Sequence, residues 1–161
     1  MLARAIELLQ VGPADRVLDL YCGLGNFTLP MARRAREVVG VEGEAGLIGR
    51  ARANARLNGI TNAEFHVADL SVAPEKGIPW MRGGFDQVLL DPPRVGAREV
   101  LSAVAHIAPR RVVYISCHTG SLARDLGILT HEMGFRLRAA GVLDMFPHTT
   151  HVESIAVLER K

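Results

Sequence analysis

Cys117 and Glu153 are the residues whose types and settings could do chemistry. Cys117 follows an apolar run, residues 111–116, and precedes Thr119 and Ser121, either of which can cap a helix. A thiol between a central strand and a helix start is eased towards thiolate, the nucleophilic form. The alternative for a lone cysteine is a small buried hydrophobe, and that is the reading given to Cys22 inside a glycine turn. Cys117 differs in its company. The segment Phe146-Pro147-His148-Thr149-Thr150-His151-Val152-Glu153 should emerge at the same edge. Glu153 is then a candidate base, with an ordinary exposed strand carboxylate as its alternative, and Phe146 and His148 are candidate substrate contacts. Cys117, His118, His148 and His151 can be counted as zinc ligands, but adjacent Cys117 and His118 point in different directions and do not face one ion. No metal is expected.

A second constellation has the marks of a binding site. The run Val17-Leu18-Asp19-Leu20 ends in Gly23-x-Gly25, and only glycine lets the main chain take positive φ and lie against a ligand. A further apolar run, Val38-Val39-Gly40-Val41, ends in Glu42, 17 residues after Gly25. A carboxylate at that strand end commonly accepts from the two ribose hydroxyls of a nucleoside. The third glycine of a dinucleotide loop is replaced by Thr28, which removes the close approach that a pyrophosphate needs. That points to a nucleoside without phosphates, of which S-adenosylmethionine is the commonest. Asp69 sits where it could meet an adenine amino group or simply be exposed acid. In Asp91-Pro92-Pro93-Arg94 the prolines stop a strand and fix the direction of Asp91. Arg94 and Arg98 are candidates to steady a phosphate, or a solvated face.

These residues need an α/β frame to position them. Helical spacing covers residues 1–10, 27–34, 44–58, 95–107 and a stretch from 119 to 133, with Leu2, Ile6 and Leu9 as the apolar stripe of the first. Strands are expected at 16–21, 38–42, 64–70, 85–91, 111–116, 135–144 and 152–160. The loop 71–84 carries two prolines and three glycines, with Trp80 to pack it down. No helix fits between the last two strands, so they should pair antiparallel at the end of an otherwise parallel Rossmann-like sheet. A helix starting at residue 1 suggests a piece of something longer.

Composition narrows the class. The 161 residues suit one domain, 48% hydrophobic and 22% charged, with no stretch long enough to span a membrane. With no signal-peptide pattern and two free thiols, a cytoplasmic protein is expected, and a monomer. Of nineteen basic residues only Lys76 and Lys161 are lysine, and the net charge of +2 allows an anionic partner without requiring one.

The motifs together resemble the catalytic domain of the bacterial RNA uridine carbon-5 methyltransferases, most closely those modifying large-subunit ribosomal RNA. The resemblance spans the chain and rests on Leu18-Asp19-Leu20-Tyr21-Cys22-Gly23-Leu24-Gly25-Asn26-Phe27, Val39-Gly40-Val41-Glu42, Leu90-Asp91-Pro92-Pro93-Arg94, Tyr114-Ile115-Ser116-Cys117, Leu122-Ala123-Arg124-Asp125, and Asp144-Met145-Phe146-Pro147-His148 with Glu153. It implies a class I S-adenosylmethionine-dependent methyltransferase fold of seven strands. It also implies that Tyr21, Gly23, Gly25, Asn26, Glu42, Asp69 and Asp91 line the cofactor site, that Cys117 is the nucleophile and Glu153 the base, and that RNA is the substrate. Two departures stand out. His118-Thr119 follows the cysteine where the family usually has Asn-Pro or Asn-Ala, and the family's upstream RNA-binding domain, in some members with an iron–sulfur cluster, is not in this chain. The competing readings are an exocyclic-amine methyltransferase using the Asp-Pro-Pro motif, a non-catalytic cofactor-binding module that needs a partner for RNA, and a nicotinamide dehydrogenase.

Overall fold

In a computed structural model describing residues 1–75, 77–143 and 152–161, the apolar runs form seven strands of one sheet. They are β1 (Arg16–Leu20), β2 (Glu37–Glu42), β3 (Ala63–Val67), β4 (Gln87–Leu90), β5 (Arg111–Ser116), β6 (Phe135–Leu143) and β7 (Glu153–Arg160), in the order β3-β2-β1-β4-β5-β7-β6. The first five run parallel, and β7 is antiparallel to both β5 and β6. The chain steps one way from β1 to β2 and the other way from β1 to β4. A crevice therefore opens outside the carboxyl ends of β1 and β4, where the loops diverge.

Alternation along the strands sorts side chains to two faces. Leu18, Leu20, Val88, Leu90 and Tyr114 pack under α4 (Leu101–Ile107) and α5 (Thr119–His131). Val17, Val38, Leu89, Val113 and Val157 pack under α1 (Leu2–Leu9) and α2 (Thr28–Ala32). The helix α3 (Ala45–Leu57) closes on Cys22 and Phe65 through Ile48, Ala51 and Ala55. Gly40 makes that closure possible, because a Cβ there would stand 2.9 Å from the Phe65 ring and 3.0 Å from the Cys22 sulfur. Trp80, in a short 3₁₀ turn, is buried and pins the 71–84 loop. At the opposite edge Asp15 Oδ2 accepts from the Gly12 N–H (2.6 Å), Gln87 Nε2 (2.9 Å) and Arg110 Nη2 (2.8 Å). This ties the α1–β1 turn to β4 and to the α4–β5 turn.

Four expectations need correction. β3 ends at Val67 rather than at residue 70, because Asp69 Oδ1 accepts from the Ser71 N–H (2.8 Å) and hydroxyl (2.6 Å) and turns the chain. The helix expected over 95–107 begins as a 3₁₀ turn at Arg98–Val100, since Gly96 holds φ +88° and breaks the pattern. α2 is confined to Thr28–Ala32. In α1 the buried stripe is Ala5, Ile6 and Leu9, with Leu2 left exposed.

Candidate active site

β1 feeds a turn built on three left-handed residues, Tyr21 (φ +67°), Gly23 (φ +54°) and Gly25 (φ +84°). For tyrosine that conformation costs about 1–2 kcal/mol, and the surrounding bonds impose it. The Tyr21 and Cys22 N–H groups both donate to Val41 O (2.9 and 3.1 Å), while the Tyr21 hydroxyl donates to Leu70 O at 3.3 Å. Glu42 closes the turn from the next strand: Oε2 accepts from the Gly23 N–H at 3.2 Å, and Oε1 from the N–H groups of Gly43 (2.7 Å) and Glu44 (3.2 Å). A carboxylate oxygen has two lone pairs, so Oε2 keeps one acceptor site open.

Beneath that turn lies a cluster of carboxylates. Asp19 is fully buried; Thr28 Oγ1 donates to its Oδ2, and its Oδ1 has no partner among the described residues. Burial pushes its carboxyl up to about 7 against the Thr28 hydrogen bond, and the charges of Asp91 and Glu42 push the same way. Asp91, one residue beyond β4, is raised to about 6 by burial and then by Glu153. Acids that raise one another's proton affinity in one crevice make a site for a positively charged ligand.

The sheet register bears on Cys117 and Glu153. The β5–β7 ladder ends with Ser116 opposite Ser154, and its continuation by one step would set Cys117 opposite Glu153, the first residue of β7. Cys117 is partly exposed and spanned by a small arch. Ser116 Oγ accepts from the His118 N–H and donates to His118 O, both at 3.0 Å. The N-cap of α5 is His118, correcting the expected Thr119 or Ser121: its Nδ1 accepts from the Ser121 N–H at 3.1 Å.

Arg124 and Asp125 stand in one of the motifs quoted from the sequence, but the sequence assigns them no role. Asp125 is fully buried in α5, and its Oδ2 accepts from the Tyr114 hydroxyl (2.6 Å) and the Ala97 N–H (2.8 Å). Arg124 Nε donates to Asp125 Oδ1 and its Nη2 to Val95 O, each at 2.8 Å. This clamp holds the loop after Asp91 against the helix that starts beside Cys117. A Cβ on Gly96 would stand 2.6 Å from both Arg124 Nη2 and Asp125 Oδ2. The signal available was a carboxylate on the buried face of α5, in step with Ser121, Leu122 and Leu129. The clamp also walls a cleft of about 300 Å³ shared by Tyr21, Leu70, Pro93, Arg98 and Arg124.

Among the remaining candidates, Arg94 and Arg98 are exposed at this rim. Asn26 lies on the outer side of the glycine turn, in a shallow pocket with Arg33, Asn54 and Asn58. Phe146 and His148 lie outside the described residues. Among the described residues no three histidine, cysteine or acidic side chains are grouped to share a metal ion, and no helix is long and apolar enough to cross a membrane.

A family model described as tRNA (uracil-5-)-methyltransferase matches residues 1–161. The 23S rRNA (uracil(1939)-C(5))-methyltransferase RlmD of Xanthomonas axonopodis pv. citri is 62% identical over the whole chain, as is its counterpart in Stenotrophomonas maltophilia. The chain spans 36% of the length of each. Among solved structures, the Pyrococcus abyssi tRNA (uracil-54, C5)-methyltransferase in complex with S-adenosyl-L-homocysteine superposes with a TM-score of 0.78 at 34% identity, covering 98% of this chain and 36% of that one. The structure of M. jannaschii TYW2 in complex with AdoMet, at 19% identity and TM-score 0.71 over 99% of this chain and 74% of that one, shares the architecture.

Proposed function

The chain belongs to the tRNA (uracil-5-)-methyltransferase family, and from that premise we propose that it methylates carbon 5 of uracil in large-subunit ribosomal RNA, with S-adenosylmethionine as donor. The observation that supports this reading is the β5–β7 ladder register: it ends at Ser116 and Ser154, and one further step would pair Cys117, a partly exposed thiol, with the carboxylate Glu153 at the edge of the crevice. An amine methyltransferase has no use for that pair.

The crevice suits the donor. Left-handed Gly23 and Gly25 keep side chains off the main chain, and the cluster of Asp19, Glu42 and Asp91 favours a ligand that carries a sulfonium and an ammonium. Tyr21, Gly23, Gly25, Asn26, Glu42, Asp69 and Asp91 would hold it. Once bound, S-adenosylmethionine supplies an electrophilic methyl group.

The chain's own residues make carbon 5 able to accept that group. The Cys117 thiolate adds to carbon 6, forming an Sγ–C6 bond and moving the C5=C6 electron pair into an enolate that is nucleophilic at carbon 5. After methylation, Glu153 removes the carbon 5 proton. The freed pair restores C5=C6 and breaks Sγ–C6, returning the thiolate. A stacked base is closed to this attack, so the uridine is single-stranded or flipped out. Arg94 and Arg98 would steady flanking phosphates, and Phe146 and His148 would contact the target. In this reading residues 1–161 are the methyltransferase domain of a cytoplasmic monomer. RNA capture is assisted by parts of the protein corresponding to the remaining length of the relatives.

The test is incubation of the chain, and of the full-length protein, with S-adenosylmethionine and a ribosomal RNA fragment carrying 5-fluorouridine. Fluorine at carbon 5 cannot leave as a proton, so the adduct should be trapped and survive a denaturing gel. It should vanish in Cys117→Ala and persist in Glu153→Gln. Cofactor binding with no adduct from either protein would sink the covalent uracil reading and favour a non-catalytic module.

A further inference from the structure

The residue after the nucleophile has an unusual task for its type. Helix α5 is 13 residues long, and its N-cap is an imidazole. The Ser121 N–H donates to its Nδ1 at 3.1 Å, and the Ser121 hydroxyl lies 3.2 Å from the same nitrogen. The same residue is fixed at its backbone. Its N–H donates to Ser116 Oγ and its carbonyl accepts from Ser121 Oγ, both at 3.0 Å. Gly120 leaves room for the ring, since a Cβ there would stand 3.0 Å from His118 Cε1. Cys117 is thus held between Ser116 and a capped helix turn.

We propose that His118 is a positioning residue of the methyl transfer: its neutral imidazole caps α5 and keeps the Cys117 arch in register with Glu153. The inference rests on the uracil reading above and deepens it. A proton on Nδ1 would end its acceptance from the Ser121 N–H, leaving only the Ser121 hydroxyl 3.2 Å away to accept from it, and would place a cation at the positive end of the α5 dipole. Both effects release the cap, loosen the first turn of α5 and let Cys117 leave its place opposite Glu153. Among the described residues, Cys117, Asp91 and Glu153 are ionisable groups on this edge, and Arg124, one turn further on, is engaged with Asp125 and Val95. An imidazole cap can gain a proton where an amide cap cannot, so a pH profile separates the two.

The test uses the full-length protein and the 23S rRNA fragment. Methylation rates of wild type, His118→Asn and His118→Ala are followed from about pH 5.5 to 8.5, the range in which imidazoles titrate. Hydrogen exchange at the Ser121 amide is measured alongside, corrected for intrinsic pH dependence. Asparagine keeps a side-chain acceptor that does not titrate. Its ratio of rates between pH 8 and pH 6 should therefore fall about fivefold below that of wild type, the scale of one lost cap. Ser121 protection should drop on acidification in wild type, stay level in the asparagine variant and be low throughout in the alanine variant. Superimposable profiles for wild type and His118→Asn overturn the proposal. So does equal Ser121 protection in all three, or an asparagine variant as slow as alanine at pH 8, which would assign the imidazole a direct part in the reaction. If wild type fails to methylate at every pH, the uracil reading fails, while the exchange measurement still reports on the cap.

Discussion

Gly96→Ala is the sharpest probe of the clamp that holds the loop after Asp91. Gly96 sits at φ +88°, where an alanine costs about 1–2 kcal/mol from its own backbone. Its Cβ would also meet Arg124 Nη2 and Asp125 Oδ2 at 2.6 Å. The arginine end is partly exposed and can swing aside; Asp125 is buried and held by Tyr114, so it cannot. The loop must move instead and give up the Ala97 N–H to carboxylate bond, a further loss of about 1.5–3 kcal/mol. The sum is about 2.5–5 kcal/mol, which for a chain of this size lowers Tm by about 10 °C. Gly59→Ala is the control: Gly59 also has positive φ (+64°), but nothing lies within 4 Å of its Cβ position. It should lose only the backbone part, about 1–2 kcal/mol. Urea unfolding of both variants against wild type isolates the clamp as the difference. Equal losses in the two variants would refute the claim that Arg124 and Asp125 hold this loop.

Three other outcomes follow from the carboxylates. Since Asp19 and Asp91 are raised to about 7 and about 6, a cationic ligand should expel protons when it binds near pH 6.5. Calorimetry of S-adenosylmethionine binding in buffers of different ionisation enthalpy should show that release, and affinity should weaken below pH 6; binding with no proton release would contradict the carboxylate cluster. The raised Asp19 favours the folded state only while protonated, so its contribution is lost as pH rises through about 7. Asp19→Asn, which keeps an acceptor for Thr28, should therefore stabilise the ligand-free protein at pH 8 by ~1–3 kcal/mol while weakening donor binding; unchanged denaturant midpoints at pH 8 would tell against it. At Asp15, burial alone would raise the carboxyl, but the Gly12, Gln87 and Arg110 hydrogen bonds outweigh it and hold it below the ordinary aspartate range. Its stabilisation is present above that range and lost as pH falls through the lowered value, so Asp15→Asn should flatten the acid side of the stability curve, measured by urea midpoints from pH 5 to 2.

Much of the frame was legible because apolar runs bounded by glycine and proline leave little choice of element. The strands β1, β2, β4 and β5 and the antiparallel final pair were readable in this way, as were the left-handed glycines 23 and 25. Strand order was not, because periodicity says which residues share a face but not which strand lies next to which. The insertion of β7 between β5 and β6 puts the strand that begins at Glu153 beside the strand that ends next to Cys117. Local hydrogen bonding by short side chains was equally hidden: Asp69 ends β3 early through Ser71, and His118 caps α5 in place of the hydroxyl residues that follow it. Asp125 looks in sequence like any helix acid. Its role depends on Tyr114 and Ala97, which are distant in the chain and adjacent only in the fold.

The crossed order of the last strands has a consequence for how the protein is made. β6 leaves the ribosome before β7 yet lies outside it, so it has no neighbour to bond until residues 153–160 arrive. Until then β5 presents a bare edge, and β6 is a loose, partly apolar ribbon of the kind that chaperones shield. The same late strand carries Glu153. A nascent or truncated chain that already holds the glycine turn and Cys117 would lack both the strand that closes the sheet and the carboxylate proposed as base, so synthesis itself would delay assembly of the proposed site.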